Sequence, residues 1–194
     1  MRTLLFLMLV STTPLFAQSY AEYEPSAQHP YGRPNPEAPE AVNDFAPMIG
    51  RSVCQSQTRN PDQSWNAPQE MIWTFKYIMN GMAVQDETLK EDGSHSGSIR
   101  QYIPDSARWY VHYYSSGAPT PTLPAWEGTV SEAKDKLVLY RPQQAPNGMD
   151  GYSRLTFSSF TEDGFEWVGE WVDPAEQFVY PTWKISCRQK QTGE

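Results

Sequence analysis

The chain has 194 residues, with 15 Lys+Arg against 23 Asp+Glu and a formal charge of −8. That length fits one domain with extensions. The acidic balance excludes a nucleic-acid partner, which needs a basic stripe, and gives no attraction to an anionic membrane surface.

Arg2, the apolar run "TLLFLMLV" and a small residue at Ala17 have the layout of a secretory signal peptide over 1–17, and the run is too short to span a bilayer. Ala21 is an alternative cleavage point. No cysteine follows the run, so a lipid anchor is not expected. Removing Arg2 with the leader leaves 14 basic and 23 acidic side chains, a charge of −9. An exported protein, periplasmic or extracellular, without stable membrane insertion, is predicted. Residues 18–44 hold Pro25, Pro30, Pro34, Pro36 and Pro39 and almost no aliphatic side chains, so a disordered, polyproline-like linker is expected there.

From Phe45 the texture changes. Short runs of Val, Ile, Thr, Tyr, Phe and Trp alternate with polar residues, and turn signals recur about every ten positions. A short helical turn around "NDFAPMIG" is placed to plug one end of a barrel. Strands are predicted over 49–58, 71–79, 82–90, 96–103, 108–115, 125–132, 136–141, 151–160, 164–172 and 177–188, with a flexible tail over 190–194. Ten strands in up-and-down order favour closure, because a closed antiparallel β-barrel has no exposed edges. Asn80-Gly81 is the strongest hairpin signal, since a type I′ turn needs positive φ at both central residues. Cys54 and Cys187 are the only cysteines. In an oxidising compartment they read as one disulfide between the first and last strands. Two free thiols are the alternative, and a zinc pair lacks both a Cys-x-x-Cys and a nearby histidine.

The runs "FAPMIGRSVC", "WTFKYIMNGMAVQDE", "GSIRQYIPDSARWYVHYYS", "FSSFTEDGFEWVGEW" and "PTWKISCRQ" stand out along the chain. Together they resemble an uncharacterised family of bacterial, often exported, proteins with a lipocalin-like (calycin) barrel. The resemblance covers residues 45–189 and rests most on "GMAVQD" (81–86) and "RQYIPDSARW" (100–109). Ser52 stands where that family usually has a Trp at the barrel floor, and Ile103 where it has an Asp before Pro. The resemblance implies the fold and supplies no activity.

Pairing across Asn80-Gly81 sets Trp73 opposite Thr88, Phe75 opposite Asp86 and Tyr77 opposite Val84. Asp86 therefore shares a face with the aromatic row, whereas Glu87 shares the wetter face with Lys76. A carboxylate on an apolar lumen wall needs a partner. Arg100 is the predicted one, though a one-residue slip of the next strand would turn Gln101 inward instead. The expected function is binding of a small, partly apolar ligand. Trp73, Phe75, Trp109, Trp167 and Trp171 form the walls, Asp86 and Arg100 the polar anchor, and His112 a third polar group. The alternatives are acid–base catalysis by Asp86 or His112 and an interaction module whose Pro-rich segment recruits a partner. No catalytic motif is present, and no metal site or resident cofactor is expected. Haem would need an axial ligand, for which only His112 is a candidate.

Overall fold

The structure, a computed structural model, describes residues 21–189; the expected leader (1–17) and tail (190–194) lie outside the described residues. Ten antiparallel strands form a closed barrel in which each strand pairs with its sequence neighbours and the last closes on the first. They are β1 (Gly50–Thr58), β2 (Gln69–Ile78), β3 (Ala83–Lys90), β4 (His95–Ile103), β5 (Arg108–Ser115), β6 (Ala125–Val130), β7 (Lys136–Pro142), β8 (Tyr152–Thr161), β9 (Gly164–Val172) and β10 (Val179–Gln189). Every predicted strand is present, with ends shifted by no more than two residues.

Two features of the chain settle the register. The β2–β3 hairpin pairs Trp73 with Thr88, Phe75 with Asp86 and Tyr77 with Val84, as the Asn80-Gly81 turn requires. Asn80 and Gly81 have φ of 53° and 78°, the left-handed values of a type I′ turn. At the seam, Cys54 and Cys187 face each other across β1 and β10 with Cα atoms 4.1 Å apart and are joined by a disulfide. Alternation along the strands then sorts the side chains, as in β2, where Met71, Trp73, Phe75 and Tyr77 are buried and the residues between them are not.

One end of the barrel is plugged. The segment Glu40–Met48 is a 3-10 helix whose Val42, Phe45 and Met48 are buried in the core. Phe45 packs edge-on to Trp109 at 4.7 Å between ring centroids and to Phe157 at 6.3 Å. It supplies the aromatic floor that Ser52 does not. Ser52 itself is fully buried.

The expected disorder over 18–44 does not extend to the described part of that segment. From Ala21 onward the chain is strapped over the β2–β3 turn. Asn35 donates its backbone N–H to the Gly81 carbonyl and its side-chain N–H to the Asn80 carbonyl, both at 3.1 Å. Tyr23 N–H donates to Asn80 Oδ1 at 2.9 Å, and Asn80 N–H donates to Glu24. Tyr77 N–H extends the contact by donating to the Tyr31 carbonyl at 2.9 Å. A Cβ at position 81 would stand 2.5 Å from both the Arg33 carbonyl and the Asn35 nitrogen, so the strap also needs this glycine. Apolar burial alone does not decide whether this segment is ordered. Here backbone donors and acceptors of a positive-φ turn supply the partners, and fixed proline φ angles reduce the entropy lost on ordering.

Candidate functional site

The end opposite the plug is open, and the loops between β1 and β2, β3 and β4, β5 and β6, β7 and β8, and β9 and β10 surround it. Below them lies a cavity of about 250 Å³. Its walls are mainly apolar, with Trp73, Trp126, Trp167, Trp183, Leu155 and Phe157 prominent. Small side chains on the facing strands create the space: Thr88, Ser96, Ser98 and Ser153, together with Gly169. Gly169 gives the neighbouring indole its room, because a Cβ there would lie 2.8 Å from the Trp167 ring. Toward the mouth, lining residues such as Tyr113, Trp126, Ser153 and Trp183 become partly exposed.

Asp86 and Arg100 meet as an ion pair in the floor of this cavity, 4% and 2% exposed. Strand register brings them together: Asp86 pairs with Ser98 and Val84 with Arg100, so all three polar side chains face inward while Gln101 is exposed. The carboxylate is well supplied with donors. Arg100 Nη1 and Ser98 Oγ donate to Oδ1, and Trp73 Nε1 donates to Oδ2 at 2.6 Å. The guanidinium is enclosed by rings, its Cζ lying 5.0 Å from the Phe45 centroid, 4.9 Å from Phe75 and 5.8 Å from Phe157. Its Nε has no acceptor. Charge-assisted bonds of this kind are shorter and stronger than neutral ones, and here they fix the aromatic wall: Trp73 is oriented by the carboxylate it touches.

The other expected wall residues divide. Trp73 and Trp167 line the cavity. Phe75 is buried beneath it, in contact with Trp73 at 5.2 Å between centroids. Trp109 belongs to the plugged end, where its Nε1 donates to Asp44 at 3.0 Å. Burial pushes the Asp44 carboxyl up and outweighs the opposing effect of that hydrogen bond. Trp171 stands near the rim, its ring in contact with Gly151 and its Nε1 donating to the Gln143 carbonyl at 3.0 Å, and does not line the cavity.

His112 requires a correction. Val111 and Tyr113 line the cavity, and His112 between them pairs with Ile99 on the outer face of β5. It supplies neither a polar group nor an axial ligand to the lumen. Glu170 borders the cavity and is paired: Arg154 holds it at 2.7 Å and reaches Glu176 at 2.5 Å. Phe45, Phe157, Trp126, Trp183, Ser98 and Arg141 also stand in or around the site and are not among the residues expected from the sequence. For most of these the signal was present in strand alternation, but the register of the later hairpins was not set by any turn as specific as Asn-Gly.

Among the described residues no cluster of three or more His, Cys, Asp or Glu is arranged to hold a metal ion, and no helix is long and apolar enough to cross a membrane. Fold and site thus define a closed ten-stranded antiparallel barrel with a buried aromatic cluster and a cavity open at one end. No family profile and no curated protein matches the chain. Among solved structures it is similar to the crystal structure of Rv2717c from M. tuberculosis, with a TM-score of 0.53 at 10% identity, covering 80% of this chain and all of that one. At that identity the likeness concerns the fold: a bacterial protein with the same barrel.

Proposed function

We propose that this is an exported binding protein that holds a small, partly apolar ligand in the barrel. The observation that carries the reading is the open cavity of about 250 Å³ walled by four tryptophans over a buried Asp86–Arg100 pair. Drug-sized ligand sites run from about 300 to 1,000 Å³, whereas an apolar void of about 150 Å³ accommodates benzene. The volume therefore fits a compact ligand of one or two rings or a short branched chain. Aromatic walls supply apolar burial at about 25 cal/mol per Å². Exposed Leu123, Met149 and Phe178 in three successive rim loops offer an apolar approach to the mouth. The disulfide fits an oxidising compartment, in keeping with the leader-like N-terminus.

Proton transfer is not the chemistry this site favours. Asp86 accepts from three side chains, and His112 faces away. Native mass spectrometry of protein purified from its own host tests the proposal. A co-purified small molecule, released on unfolding, is expected. Protein at its bare mass in every preparation, with no apolar probe taken up on titration, would sink it.

A further inference from the structure

Arg141 is an inward-facing cation that the Asp86–Arg100 pair does not explain. On β7 it pairs with Ser153 and stands one alternation above Leu139, which pairs with Leu155; Leu139, Ser153 and Leu155 all line the cavity. The guanidinium lies over the ring of Trp126, 4.3 Å from its centroid, and Trp126 in turn donates to Ser153 at 3.1 Å. Arg141 thus sits at the mouth, on top of the aromatic wall. Among the described residues its Nε is buried without an acceptor, and no carboxylate forms an ion pair with it. The two acidic residues in the cavity lining are already taken, Asp86 by Arg100 and Glu170 by Arg154. Burial pulls the Arg141 pKa down with no compensating charge beside it, in contrast to Arg154, where Glu170 and Glu176 outweigh burial and raise it.

A chain with 23 acidic side chains has carboxylates to spare, yet leaves this guanidinium without one. A partly desolvated cation is costly unless paired. Stacking on an indole recovers part of that cost and leaves the in-plane donors open, in the fork geometry that matches a carboxylate. We propose that Arg141 binds the anionic head of the ligand, so that the physiological ligand is a compact amphiphilic carboxylate with its apolar body among the tryptophans and its head at the mouth. This rests on the ligand-binding reading above and adds the class of ligand. Arg100 does not compete for the head, being neutralised by Asp86 on the floor.

The test uses two probes of nearly equal shape, naphthalene-2-carboxylate and naphthalene-2-carboxamide, titrated into the full chain by calorimetry. A charge-assisted pair predicts about 10- to 100-fold tighter binding of the carboxylate at low salt. That preference should shrink as salt is raised while amide binding stays level. In Arg141→Gln the preference should fall to within about threefold with amide affinity retained, and Arg141→Lys should keep part of it. Equal binding of both probes to the wild type, or a preference that survives in Arg141→Gln, would overturn the assignment and leave the cavity reading standing. Binding of neither probe overturns both. The wild-type salt series decides the matter even if the variants do not fold.

Discussion

Replacing Asp86 by Ala removes the partner of a guanidinium that is 2% exposed and strands the Trp73 and Ser98 donors with it. Breaking a buried pair from one side costs about 3–5 kcal/mol, because the remaining charge is left uncompensated. Arg100 also borders the cavity, and water entering there can solvate the orphaned group, so the lower end applies, about 3 kcal/mol. For a domain of this size that is a fall in Tm of about 6–12 °C. Thermal and urea unfolding, followed by tryptophan fluorescence, measure it directly. The informative comparison is the double variant Asp86→Leu with Arg100→Met, which removes both charges while filling the volume. It should recover at least half of the loss, since well-packed apolar replacements of buried pairs are neutral or stabilising. A cost of under about 1 kcal/mol for Asp86→Ala, the value of an exposed pair, would refute the reasoning.

Three further outcomes follow from the fold. Replacing both Cys54 and Cys187 by Ala opens a loop with a sequence separation of 133; chain entropy assigns this about 5 kcal/mol, visible as a lower urea midpoint, while probe affinity should hold because neither cysteine lines the cavity. Phe45→Ala empties the barrel floor and should cost about 3–5 kcal/mol in the same unfolding assay, with Trp109 becoming more accessible to quenchers. The raised Asp44 pKa has the opposite sign from a salt-bridged carboxylate: the folded state holds the proton more tightly, so stability is present below the unfolded pKa and is lost as pH rises through the folded one. Wild type should therefore lose stability relative to Asp44→Asn as pH rises above about 4, the unfolded carboxylate value, and parallel pH profiles for the two would contradict this.

The hairpin from Trp73 to Lys90 was legible in detail, and for a physical reason. Asn80-Gly81 admits one turn type, the turn fixes the register, and the register separates Asp86 on the aromatic face from Glu87 on the wet one. Arg100 as partner followed from reach and charge, and the register across the short β3–β4 turn set it diagonal to Asp86, on the same face as Ser98. The disulfide and the helical plug were legible because a lone cysteine pair and an isolated apolar turn each had one economical use. His112 was misplaced because "RWYVHYY" has aromatic residues on both faces, and period-two alternation carries no information when the two faces look alike. Trp171 and Trp109 were assigned to the cavity on residue type alone, whereas their indole N–H groups are bonded at the rim and at the plug. The strap over the turn was hidden because each of its bonds uses at least one backbone atom, which every sequence has. Cavity volume depends on Thr88, Ser96, Ser98 and Gly169, residues whose contribution is their small size.

The central claim is that the lumen, and not the outer surface, takes the ligand. Leu155→Trp tests it most directly by placing an indole in the cavity. Calorimetric titration of naphthalene-2-carboxamide should give one site on the wild-type barrel and none on Leu155→Trp, with both proteins folded by near-ultraviolet circular dichroism. Equal affinity in the two proteins would place the binding elsewhere and contradict the account.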